Sequence, residues 1–141
     1  MNADDLPLRP LLVVDGANVV GSVPDGWWRD RRGAAERLRD RLAAVGGPAD
    51  GPYPGPYEIV LVVEGLARGI ASVPDVRVED APGSGDDLIV ELVRKANGRP
   101  SLVVTADREL CLRVQEEGAR CTGPRSLPPT PGQGFQTPRE V

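Results

Sequence analysis

Apolar and polar positions follow two alternating periods along the chain. Leu11-Leu12-Val13-Val14 is an unbroken apolar run that stops at Asp15-Gly16, the pattern of a strand buried on both faces and followed by a turn. Ile59 to Val63 repeats it and stops at Glu64-Gly65, and Leu102-Val103-Val104 repeats it before Thr105-Ala106-Asp107. Asp75 to Glu79 alternates around Val76 and Val78, which predicts a third strand at a sheet edge, and Ala119 to Thr122 predicts a short fifth one. Between these runs the period lengthens. Arg29 to Val45 places Ala35, Leu38, Leu42 and Val45 on one helical stripe, and Ser84 to Ala96 does the same with Ile89, Leu92, Val93 and Ala96. Residues 107–117 predict a third helix carrying Leu110 and Val114. Gly46-Gly47-Pro48, Asn97-Gly98-Arg99-Pro100 and Gly118 supply the stops, residues 46–56 read as a Gly/Pro-rich loop, and residues 66–72 have room for one short helix.

Strands alternating with helices predict an α/β domain with a mainly parallel central sheet. Apolar strands without strict alternation fit a sheet covered on both faces, a three-layer sandwich. The domain is expected over residues 11–127, after an N-terminal extension at 1–10 and before a Pro-rich, irregular tail at 128–141.

The composition narrows the chemistry. The 141 residues contain no histidine and two cysteines. That excludes a Ser-His-Asp triad, a His-ligated zinc and a four-thiolate cluster. Cys111 and Cys121 lack the C-x-x-C spacing and read as small, reduced core residues. No signal-like h-region follows the acidic start, and no apolar run approaches a membrane span, so a cytoplasmic protein with no membrane partner is expected. Acid–base or metal chemistry must therefore rest on carboxylates.

Three strands end in an acid: Asp15, Glu64 and, just past the turn, Asp107. With the strand order 3-2-1-4-5 these ends are adjacent, on the edge where open parallel sheets bind ligands. The helix after strand three begins at the same edge and adds Asp86 and Asp87. Each acid also has a structural reading, as a turn residue or a helix cap. Together, in one crevice, they would repel one another unless a positive charge lay between them. A hard divalent cation, Mg²⁺ or Mn²⁺, suits such a set of oxygen donors.

Val13-Val14-Asp15-Gly16-Ala17-Asn18-Val19 resembles the opening D-G-x-N signature of NYN domains, in the PIN-like nuclease superfamily and nearest its YacP-like branch. Gly85-Asp86-Asp87-Leu88-Ile89 resembles that family's acidic helix start, and Val103-Val104-Thr105-Ala106-Asp107-Arg108-Glu109 its V-T-S/A-D-R/K segment. Glu64 stands where the family often has Asp, and Ser84 where flap-nuclease-like members carry a further acid. The similarity runs from about Leu11 to Leu127. It implies a PIN-like fold and a metal-dependent ribonuclease, an endoribonuclease, using Mg²⁺ or Mn²⁺. Asp15, Glu64, Asp87 and Asp107 would be the catalytic acids, and the same four with Asp86 the metal ligands. Asn18 would contact phosphate or orient the site, Thr105 would bond an acid or a water, and Glu109 would add an outer carboxylate.

Charge bears on the partner. The net charge of −4 disfavours RNA, yet setting aside Asp15, Glu64, Asp86, Asp87 and Asp107 leaves 16 acids against 17 bases. Six arginines fall between Arg29 and Arg41, and Arg29 and Arg32 are candidate phosphate contacts on the cleft flank. Trp27 and Trp28 are expected to cover the sheet edge, with base stacking as the alternative. A small-molecule phosphohydrolase acting on nucleotides, a degenerate RNA- or protein-binding domain, and a homodimer all remain compatible with these residues.

Overall fold

The computed structural model describes residues 9–128, so the 1–10 extension and the 128–141 tail lie outside it apart from Arg9, Pro10 and Pro128. Five parallel strands form one sheet: β1 (Leu11–Asp15), β2 (Glu58–Val63), β3 (Val76–Asp80), β4 (Ser101–Val104) and β5 (Arg120–Thr122). Their order is β3-β2-β1-β4-β5, the order expected from the sequence. Four helices flank it: α1 (Gly16–Gly21), α2 (Arg31–Val45), α3 (Gly85–Ala96) and α4 (Arg108–Glu116). Short 3₁₀ turns occupy Trp27–Arg29, Gly65–Ala67 and Pro124–Ser126. None of the helices is long and apolar enough to cross a membrane among the described residues.

The two faces of the sheet sort the strand residues by parity. Leu12, Val14, Leu61, Val63 and Val104 pack against Val19, Ala35, Leu38 and Leu42 of α1 and α2. Leu11, Val13, Val60, Val62 and Val103 pack against Ile89, Val90, Val93, Leu110 and Val114 of α3 and α4. Burial on both faces is why these strands read as unbroken apolar runs. Register then fixes the functional edge. Asp15 pairs across from Val62, and Val14 from Val104, so β1, β2 and β4 end together.

The helix caps place the polar groups at that edge. Asp15 caps α1, Ser84 caps α3 and Asp107 caps α4, each accepting backbone N–H groups that have no partner within the helix. The long helix is shorter than its sequence pattern suggested. Asp30 caps it through Gly33 N–H, and Trp27–Arg29 form a separate turn ahead of it.

The cysteine expectation is corrected. Cys111 and Cys121 are joined in a disulfide, with no free cysteine among the described residues. The turn after α4 sends the chain back along β5 and brings the two Cα atoms to 5.6 Å. The closed loop is short, with a separation of 10 residues. Its opening removes a modest constraint on the unfolded chain, about 2 kcal/mol. A Cys111→Ser/Cys121→Ser double variant should therefore melt several degrees lower in a calorimetric scan, and dithiothreitol should lower the wild-type midpoint to the same value.

Candidate active site at the strand ends

Asp15 is buried at the end of β1, 5% exposed, and its two oxygens face different partners. Oδ2 accepts the Thr105 hydroxyl at 2.8 Å, and Oδ1 accepts Asn18 N–H at 3.4 Å. Thr105 Oγ1 in turn accepts Asp107 N–H at 3.1 Å. Asn18 Oδ1 accepts Ala106 N–H at 2.7 Å, which ties α1 to the turn between β4 and α4. One hydrogen-bonded ring therefore locks the first acid to the segment carrying the last. Asp107 spends Oδ1 on Glu109 and Leu110 N–H at 3.0 and 3.2 Å. Its other oxygen takes no bond from the described residues.

Glu64 lies one residue past β2, and its Oε1 accepts Gly85 N–H at 2.8 Å. The first turn of α3 is thereby held against the end of β2. A Cβ on residue 85 would lie 2.7 Å from that oxygen, so a side chain there would push the Glu64 carboxylate aside.

The acids at this edge feel one another's charge: Asp15 that of Asp86 and Glu64, and Asp86 that of Asp107 and Glu64. Burial raises Asp15 above its ordinary 3.8; the bonds from Thr105 and Asn18 oppose this, and the charges of Asp86 and Glu64 add to it. Asp86 is raised first by burial, then by Asp107 and Glu64, with Arg113 opposing. Neither oxygen of Asp86 takes a hydrogen bond from the described residues.

Asp87 is placed elsewhere. Its side chain is 78% exposed and pairs with Arg113 of α4 at 3.0 Å. The helical step of about 100° between successive residues turns only one of the two acids inward, and here that is Asp86. Glu109 is exposed on the first turn of α4. Arg32 is a structural clamp, donating from Nε to the Arg68 carbonyl at 3.0 Å. Arg29 stacks over the exposed Trp28 ring at 5.8 Å. The arginine that reaches the cleft is Arg31. With Glu64, Gly65 and Trp27 it lines a small pocket at the end of β2. On the other flank of α1, Arg41 and Arg125 line a groove that extends to Ala106. These side chains were not separable by sequence, since all six arginines of the 29–41 stretch look alike without the helix's orientation.

Among the described residues no three Asp, Glu or Cys side chains stand close enough to hold an ion as they lie. The donor chemistry nonetheless suits Mg²⁺ or Mn²⁺. All candidate donors are oxygens, several are held by neighbouring N–H or O–H groups, and Mg²⁺ commonly takes only one or two carboxylates and fills its shell with water.

No family model matches the sequence, and no curated protein does. Among solved structures the chain is similar to Rae1 (YacP) from Bacillus subtilis, determined as its W164L mutant. The superposition has a TM-score of 0.61 at 19% identity, covering 83% of this chain and 70% of that one. The protein thus has a YacP-like α/β fold, with five parallel strands in the order 3-2-1-4-5 between two helical layers.

Proposed function

We propose that this protein is a metal-dependent RNA hydrolase of the NYN/PIN-like kind, working at the carboxylate cluster with Mg²⁺ or Mn²⁺. The observation that supports the reading is that Asp15, Glu64, Asp86 and Asp107 come from four separate segments at one sheet edge, with Asp15 tied to Asp107 through Thr105 and Glu64 tied to the start of α3 through Gly85 N–H. No arginine or lysine bonds to any of the four among the described residues. The D-G-x-N and T-A-D segments and the YacP-like fold support it. So does the distribution of cations. Arg31, Arg37, Arg41 and Arg125 near α1 and α2 have no ion-pair partner among the described residues. Free guanidinium groups are what a phosphate backbone recruits.

Asp15 and Asp107 would hold the cation, with Glu64 and Asp86 bordering it. When bound, the ion would supply Lewis-acid charge to the scissile phosphate and lower the pKa of an attacking water. The protein's own groups do the positioning. Thr105 fixes the rotamer of Asp15, Asn18 fixes the turn before Asp107, and Gly85 N–H fixes Glu64. Asp86, whose oxygens take no hydrogen bond from the described residues, would take the proton from the attacking water.

The reading is tested by incubating purified protein with a mixture of structured and single-stranded RNA, and in parallel with nucleoside triphosphates, in Mn²⁺, Mg²⁺ or EDTA. RNA fragments in either metal, none in EDTA and intact nucleotides are expected. Turnover of nucleotides with RNA intact would replace the proposal by a small-molecule phosphohydrolase. RNA bound but uncleaved in both metals would replace it by a binding module.

A further inference from the structure

We propose that the pocket between α1, the Trp27 turn and the end of β2 is a nucleobase subsite, which takes one unpaired base beside the phosphate presented to the acids. The inference rests on the RNA-hydrolase reading above and adds to it where the substrate strand lies and that this part of it is single-stranded. The cavity measures about 130 Å³, and Glu64, Trp27 and Arg31 are among the residues that line it. Val20, Ala35 and Val63 form an apolar lining. Drug-sized ligands occupy roughly 300 Å³ or more, so the pocket suits a single flat heterocycle and excludes a whole nucleotide.

Three observations favour a base over another apolar occupant. Trp28 is 54% exposed and does not cover the sheet, and Trp27 keeps part of its surface open beside Val63 at the pocket. Their rings meet edge-on at 5.9 Å and 87°, which braces the Trp27 ring plane. The Arg31 guanidinium sits 5.1 Å from the Trp27 centroid and has no carboxylate partner among the described residues. An unpaired guanidinium over an aromatic ring is a combination that can stack a base, against the guanidinium plane or the ring face it leaves open, and hold the adjoining phosphate. Apart from Glu64 and Arg31 the lining is apolar or glycine, so the neutral base enters the pocket while the charged backbone stays outside it. An apolar side chain from a protein partner would gain nothing from Arg31.

Trp27 and Trp28 are the two tryptophans of the chain, so Trp28→Phe leaves Trp27 as the only indole emitter. In that background, with Asp107→Asn and EDTA to prevent cleavage, the protein is titrated with a single-stranded ribohexanucleotide of mixed sequence. A second titration uses a hexamer of the same sugar–phosphate chain without bases. Saturable quenching by the first is expected, with at least tenfold weaker binding and no quenching by the second. Anisotropy of a labelled hexamer should show about tenfold weaker binding for Trp27→Leu, which keeps apolar bulk but loses the ring. Trp27→Phe should recover most of it, which guards against a merely folding-defective variant. Equal affinity for both hexamers, or a Trp27→Leu variant that binds as tightly as its parent, would overturn the subsite. RNA cleavage by the wild type without Trp27 quenching removes the subsite and leaves the hydrolase reading standing. Quenching in a protein that cleaves no RNA does the reverse.

Discussion

Asp15→Asn is expected to lower RNA cleavage about a thousandfold, about 4 kcal/mol of transition-state stabilisation, and at the same time to raise thermal stability at neutral pH. The first effect follows from the loss of the most buried oxygen donor of the cluster. The second follows from the sign of its proton linkage. Asp15 is raised in the folded protein, chiefly by burial and further by Asp86 and Glu64. In the unfolded chain it ionises first, near its ordinary 3.8. Its ionisation therefore costs the fold stability that begins to be lost as pH rises past that value, and the loss is complete above the folded pKa. Asn carries no charge; its single carbonyl oxygen keeps the bond from Asn18 N–H, and its NH₂ would donate to Thr105 Oγ1 in place of accepting from it. The stabilisation should accordingly be full above the folded pKa and vanish in melts run below the ordinary 3.8. A variant less stable than wild type at pH 7 would contradict the like-charge account of the site. Saturating Mn²⁺ should raise the wild-type melting temperature and leave that of Asp15→Asn almost unchanged.

Gly16→Ala should be the most damaging single-methyl change on this edge. A Cβ there would lie 2.6 Å from the Val62 carbonyl oxygen and 3.2 Å from Leu61 Cδ1. The obstacle is the backbone of β2, which cannot rotate away, so α1 must lift from the sheet. Overpacking of this kind costs about 3 kcal/mol, or about 10 °C for a chain of this size. Lifting α1 also pulls Asn18 away from Ala106 N–H, so cleavage should fall more than stability alone explains. Gly83→Ala is the control, since a Cβ there meets nothing within 4 Å. Equal melting temperatures for the two variants would show that α1 does not sit as close to β2 as described.

The regular elements were legible because burial on both sheet faces writes long apolar runs and clear helical stripes. Ile89 and Val93, or Leu38 and Leu42, announce their helices through spacing alone. α1 was not legible. Its six residues begin and end in glycine and carry two adjacent valines, so local propensity argues against a helix. Burial of Val19 and the Asp15 cap hold it in place instead. The candidate acids could be brought to one edge from strand order, but not told apart there. Asp86 and Asp87 are neighbours in sequence, and only the rotation of α3 and the position of Arg113 decide which faces Asp107. The Cys111–Cys121 bond escaped for a similar reason. A ten-residue separation becomes a short distance only once α4 and β5 run back along each other. Trp28, read as cover for the sheet, instead lies on the surface beside Arg29 because Trp27–Arg29 form their own turn ahead of α2.

The most direct test of the carboxylate centre is the initial rate of RNA cleavage against Mn²⁺ concentration, measured for the wild type and for Asp107→Asn. Asn caps a helix as well as Asp does, so the variant should keep its fold and lose only the acid. A saturable Mn²⁺ dependence in the wild type, abolished by EDTA and reduced at least a hundredfold in the variant, is the expected result. Cleavage that persists in EDTA, or that survives unchanged in Asp107→Asn, would contradict it.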